Sequence, residues 1–133
     1  MSEVAGVCLD ATYCIDFLQG REAAIAKAHD LEGEHASLAI PVPAAMEVLL
    51  WGRRHGDKAL RRTLDLIERV EVLDSTLEVA QEASRLGLEC ERSGAMVPNM
   101  ELLIAATARV HRKILVTRDS DFHRVAGLTL VSY

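Results

Sequence analysis

The chain has 133 residues, half of them hydrophobic, with a net charge of −5 and a pI near 5.5. That length is close to the commonest single-domain size, and the apolar fraction is enough for a real core. The acidic balance argues against a protein that holds nucleic acid by bulk positive charge. No segment approaches the roughly 18 uninterrupted apolar residues of a membrane helix. No basic region followed by an apolar run opens the chain, so no leader is expected and the reading is of a cytoplasmic protein without a membrane. Cys8, Cys14 and Cys90 are odd in number and lack CxxC spacing, which favours buried free thiols over disulfides or zinc. The five histidines show no paired metal spacing.

In chain order, Val7-Cys8-Leu9 reads as a short buried strand ending in Asp10. Thr12 can cap a helix from Tyr13 to Leu18 that Gly20 ends. Arg21 to Leu31 is an Ala-rich helix broken at Gly33. Ser37 to Val42 is the next strand candidate, which Pro41 should end early. Pro43 suits the first turn of a helix running to Trp51, with Gly52 after it. This helix carries Glu47 between Met46 and Val48. A helix from about Asp57 to Arg69 follows, with Leu60, Leu64 and Ile67 on one face and Lys58, Arg61 and Arg62 on the other.

Val70 to Leu73 alternates like a strand and ends in Asp74. Ser75 and Glu78 are spaced as a capping box. The long helix after them has Val79, Ala83, Leu86 and Cys90 at helical spacing and ends at Gly94. The next helix, from about Asn99 to His111, is apolar from Leu102 to Ala106 with no polar face, the pattern of a buried helix. Asn99 is a candidate cap, and one carboxylate, Glu101, stands at the helix head, where the dipole tolerates an acid. Ile114 to Thr117 is a strand, Arg118 to Phe122 the turn after it, and Leu128 to Val131 a last strand.

Strands alternate with helices throughout. This predicts an α/β fold, three-layer α/β/α, with a mainly parallel central sheet of about five strands, as a single domain over residues 1–133. In such sheets the functional crevice lies at the carboxyl ends of the strands. Asp10, Asp74, Asp119 and Asp121 follow strands there, and Glu47 and Glu101 sit on helices that reach the same rim. Acids converging on one rim need a common reason. Oxygen ligands without His or Cys favour Mg²⁺ or Mn²⁺, which reverses the local field and admits phosphate. The chemistry that fits is phosphodiester hydrolysis. Asp74 is better explained as a cap or loop acid, and Asp16 as a solvated helix residue.

With those residues placed, the chain resembles a PIN domain, in particular a VapC-type toxin of a toxin–antitoxin pair. Four segments carry the resemblance: Val7 to Thr12, Ala45 to Gly52, Glu101 to Ala108, and Leu115 to Phe122. It implies a PIN-like fold and a metal-dependent endoribonuclease. It assigns catalytic and metal-binding roles to Asp10, Glu47, Glu101 and Asp119, with Asp121 an auxiliary metal acid. Thr12 and Thr117 would bond water or carboxylates nearby. It also implies a homodimer, a VapB-like antitoxin that plugs the acidic pocket, and an RNA substrate such as tRNA or rRNA. Two positions depart from the family pattern. Glu101 stands where Asp is usual, and Ala11 where Thr or Ser is common.

The basic residues between Arg53 and Arg62 read equally as a phosphate track or a solvated face. Arg118, beside Asp119, either contacts RNA or pairs with an acid. Trp51 and Leu50 offer a dimer or antitoxin surface. Two alternatives belong to other classes. One is a catalytically silent PIN-like domain that binds RNA or protein. The other is a receiver-like phosphoacceptor with Asp74 as acceptor, a class that wants an acidic pair after the first strand and a Lys after the last, neither of which is present.

Overall fold

A computed structural model describes residues 6–133. Residues 1–5, which the span 1–133 and the reading of the chain's start include, lie outside the described residues. The elements are β1 (Val7–Leu9), α1 (Ala11–Leu18), α2 (Glu22–Gly33), β2 (Leu38–Pro41), α3 (Val42–Arg54), α4 (Asp57–Glu68), β3 (Glu71–Leu73), α5 (Leu77–Ser93), α6 (Asn99–Val110), β4 (Ile114–Val116) and β5 (Leu130–Val131). A 3₁₀ turn, Ser120–Arg124, lies between β4 and β5. The strands form one parallel sheet in the order β3-β2-β1-β4-β5, and with the six helices this is the three-layer α/β/α arrangement expected.

The central place of β1 in this order agrees with its burial. Every residue of β1 is buried, as a central parallel strand covered on both faces requires. The chain runs outward from β1 through β2 to β3, then returns to the other side of β1 with β4. The carboxyl ends of β1 and β4 therefore flank the point where the sheet reverses direction, which is where open α/β sheets form their crevice. The edge strand β3 is exposed at Glu71 and Val72, and Asp74 after it is exposed as well.

α6 is the buried helix that its composition implied, with Leu102 and the run Ile104 to Ala108 buried. It packs closely on α5, where Gly87 lets the Leu102 side chain approach to within 3.1 Å of where a Cβ would stand. Cys8, Cys14 and Cys90 are buried free thiols, and burial pushes Cys8 up to about 12. They are packing residues and not nucleophiles.

Several local expectations are corrected. The first helix starts at Ala11 and its cap is Asp10, not Thr12, because the Asp10 carboxylate accepts the Ala11 N–H at 2.7 Å. The α5 cap is Thr76, whose Oγ1 accepts the Val79 N–H, in place of Ser75 and Glu78. Pro98, extended at φ −58°, takes the cap position of α6, so Asn99 is the first helical residue. In α4 the buried residue is Thr63, and Leu64 is 44% exposed. Strand β5 is shorter than Leu128 to Val131.

Gly52 does not follow α3 but lies inside it, because α4 crosses there. A Cβ at Gly52 would stand 2.7 Å from Thr63 Oγ1 and 3.1 Å from the Leu60 Cα. Thr63 cannot turn aside, as its hydroxyl donates to the Ala59 carbonyl at 2.9 Å and its side chain is fully buried. Gly52→Ala is expected to cost about 1–3 kcal/mol by overpacking, read as a lowered denaturation midpoint with unchanged slope.

Candidate active site

The pairing of Leu9 with Val116 brings Asp10 next to Thr117, one residue past the end of each strand. The Thr117 hydroxyl donates to Asp10 Oδ2 at 2.7 Å and accepts from the Asp119 N–H at 3.0 Å. Asp119 Oδ1 then accepts the Asp121 N–H at 2.9 Å, which starts the 3₁₀ turn. Fully buried Phe122 anchors that turn in the core. A short chain of hydrogen bonds thus sets the acids after β4 relative to the acid after β1.

Asp10 is 3% exposed. Burial is the largest influence on it and raises its pKa, against the hydrogen bonds from Thr117 and Ala11 and, more weakly, Thr12. Glu47, half-buried on α3, is raised by burial and then by the charges of Asp10 and Asp119. Glu101, at the head of α6, is pushed up to about 8 by burial first and then by Asp119 and Asp121.

Glu101, Asp119 and Asp121 each offer a carboxylate oxygen within 4.8 Å of the others. Glu101 Oε2 is buried and has no hydrogen-bond partner among the described residues. A buried, orphaned carboxylate oxygen beside two more carboxylates is costly unless a cation is bound. The donor set is all oxygen, which fits a hard divalent cation. Asp10 and Glu47 face the same cleft electrostatically but lie outside that tight trio. Asp74 takes no part in it, as expected of a loop acid.

A family model described as the PIN domain matches residues 7–128. The chain belongs to the PIN domain family. A curated relative, the tRNA(fMet)-specific endonuclease VapC of Shigella flexneri, is 29% identical over 125 residues, covering 90% of this chain and 92% of the relative. The fold is similar to that of a VapBC complex from Rickettsia felis bound to a promoter DNA fragment, with TM-score 0.81 and 23% identity over 96% of this chain and 98% of that one. A toxin–antitoxin complex from Klebsiella pneumoniae gives 0.76 and 25% over 95% and 96%. Family membership removes the receiver-like alternative.

In this PIN domain Asp16 is not solvated. It is 2% exposed, and Arg118 donates to it through Nε at 2.6 Å and Nη2 at 3.3 Å. Arg21 Nε lies 3.1 Å away, and the Tyr133 hydroxyl donates at 2.6 Å. These partners outweigh burial and lower the Asp16 pKa. Of the two roles open to Arg118, the geometry displays the pairing with an acid. The network ties the residue preceding Asp119 to α1 and to the chain's last residue. Helical periodicity could not reveal it, and the one signal was the open question of which acid Arg118 would meet. A hollow of about 740 Å³ between α1, α2 and α4 is a mostly apolar groove away from the acids, lined by Tyr13, Phe17, Leu31 and Leu66 among others.

The raised acids have a consequence for stability. Glu101 has an ordinary value of 4.5 and a folded value of about 8. Its protonation therefore favours the fold, a contribution complete below about pH 4.5 and lost as pH rises through 8. Asp16 is opposite in sign, stabilising above the ordinary Asp range and losing its effect in acid. In EDTA, melting temperature is expected to fall between pH 5 and pH 8. Glu101→Gln should raise it by several degrees at pH 8 and change it little at pH 5. An equal effect at both values would contradict this electrostatic account.

Proposed function

We propose that residues 1–133 form one PIN domain acting as a cytoplasmic endoribonuclease toxin dependent on Mg²⁺ or Mn²⁺. The observation that carries the reading is the trio Glu101, Asp119 and Asp121, with an orphaned buried oxygen on Glu101. Family membership and the endonuclease relative support the nuclease class. When bound, a divalent cation supplies charge neutralisation at the scissile phosphate and activation of water.

The chain's own residues prepare that chemistry. Glu101, Asp119 and Asp121 offer oxygens for the cation, and Asp10 and Glu47 complete the acidic rim as further ligands or proton acceptors. Glu47 is half-buried, and burial followed by the charges of Asp10 and Asp119 raises its pKa, a direction that makes it a stronger proton acceptor than an ordinary carboxylate. Thr117 holds Asp10 and the Asp119 loop in register, so its hydroxyl acts on geometry and not on substrate. Thr12 supports the Asp10 charge. Arg118, half-exposed beside Asp119, is proposed to touch the RNA backbone while its Nε stays on Asp16. Glu101 in place of the usual Asp is longer by one methylene, and its position at the head of a buried helix keeps its carboxylate with Asp119 and Asp121.

The similarity to toxin–antitoxin complexes supports a VapB-like antitoxin as partner, and the family resemblance implies that it plugs the acidic cleft. Homodimerisation is proposed from the family resemblance alone. No described helix is long and apolar enough to cross a membrane.

The test is cleavage of tRNA and rRNA by purified protein freed of antitoxin, in EDTA, Mg²⁺ and Mn²⁺. Initiator tRNA is the first substrate to try, given the activity named for the Shigella relative. Cutting is expected only with the metal. Asp10→Asn and Asp119→Asn should each lower the rate at least a hundredfold while the protein stays folded, as loss of an electrostatic group at a reacting centre does. Parent-level cutting by both variants would overturn the site. No cutting by any form on any of these RNAs would favour the silent binding domain, which is kept as the second reading because of Glu101.

A further inference from the structure

We propose that the ring of His55, stacked on Trp51 at the end of α3, is a platform for an unpaired RNA base. The proposal rests on the ribonuclease reading above and adds where the substrate lies. Glu47, Trp51 and His55 are spaced four residues apart, so they share one stripe of α3. α3 packs against α1, which Asp10 caps, and against α6, which Glu101 heads, and Glu47 is the acid of that stripe. The stripe therefore begins at the acid cleft and ends at His55, about 12 Å along the helix.

The two rings lie 4.8 Å apart at their centroids and 28° from parallel. The His55 Nδ1–H donates to the Trp51 carbonyl at 2.8 Å, the only role a carbonyl partner allows that nitrogen. The imidazole is thus held in place on both its face and its edge. Trp51 is half-buried and packs on the core, whereas His55 is exposed, so the free face of the pair is the outer face of His55. A ring immobilised in advance loses little freedom when a base stacks on it, and histidine is among the side chains that stack unpaired bases.

Charge selects RNA over a protein partner for this face. The chain carries −5 overall, yet from Val48 to Leu64 the one acid is Asp57, against Arg53, Arg54, Lys58, Arg61 and Arg62. Arg62 is committed to the Leu18 carbonyl. The other four are exposed, and none takes part in an ion pair among the described residues. A stacking ring amid cations is the pairing used to hold single-stranded nucleic acid, bases on the ring and phosphates on the cations. The exposed apolar side chains Met46 and Leu50 precede His55 on the same helix, and Leu64 is exposed on α4 beside the cations.

The test is binding of a fluorescein-labelled single-stranded RNA to the full chain in EDTA, followed by anisotropy. Quenching of Trp51, the chain's single tryptophan, reports contact at the platform. The parent should bind saturably with quenching. His55→Ala should weaken binding about tenfold, the size expected for one stacked base, and His55→Phe should retain it. The hydrogen bond of His55 to the Trp51 carbonyl is exposed, so melting temperature should fall by no more than a few degrees in either variant. A duplex of the same sequence, whose bases are already stacked, should bind the parent no better than the single strand binds His55→Ala. Parent-like affinity in His55→Ala overturns the proposal. So does a change of oligomeric state in that variant by sedimentation, which would mark the face as a protein interface. Because binding is read without metal or cleavage, a silent domain would still show the platform. An active nuclease indifferent to His55 would lose the platform and keep the reaction.

Discussion

The parallel pairing of β1 with β4 is the constraint on which the acid cleft depends. It places two strand ends side by side where the sheet reverses direction, with Leu9 opposite Val116. Asp10 and Thr117 then meet through one hydrogen bond, and Asp119 and Asp121 follow from it by two more. A slip of one residue in this register would turn Asp10 toward the other face of the sheet and break that sequence. The helices contribute afterwards. α3 brings Glu47 and α6 brings Glu101 to a rim whose position the strands have already determined.

The rim is held together against its own charge. Asp10, Glu47 and Glu101 are all raised, with burial the largest cause in each case and neighbouring carboxylates adding to it. Stability given up at such a place is a common mark of a functional site, since acids that gained nothing by meeting would separate at little cost. The opposing stabilisation comes from ordinary packing around the cleft. α6 is buried along its length against α5, Phe122 seats the turn after β4, and Asp16 is satisfied by Arg118, Arg21 and Tyr133.

Asp16 and Glu101 show how environment separates two buried carboxylates. Asp16 has two guanidinium groups and a phenol around it, and its pKa falls. Glu101 has two acids and an unpartnered oxygen, and its pKa climbs. The first is a finished structural network that fastens the Asp119 loop to α1. The second is an incomplete one, and a divalent cation is the kind of group that would complete it.

Much of this protein was legible from local pattern. The alternation of strands and helices, the buried α6 and the set of acids at strand ends and helix heads all depend on periodicity and spacing, which the chain carries residue by residue. Caps were less legible, because Asp10 and Thr12, or Ser75 and Thr76, offer near-equivalent oxygens, and the backbone's path chooses between them. What only the tertiary structure decided was which groups meet. Gly52 reads as a helix end until α4 crosses it at Thr63, and Asp16 reads as solvated until Arg118 and Tyr133 arrive from more than 100 residues away. The gathering of Glu101 with Asp119 and Asp121, apart from Asp74, likewise depends on strand order. Such contacts join distant parts of the chain, and their energies depend on geometry that no local window contains.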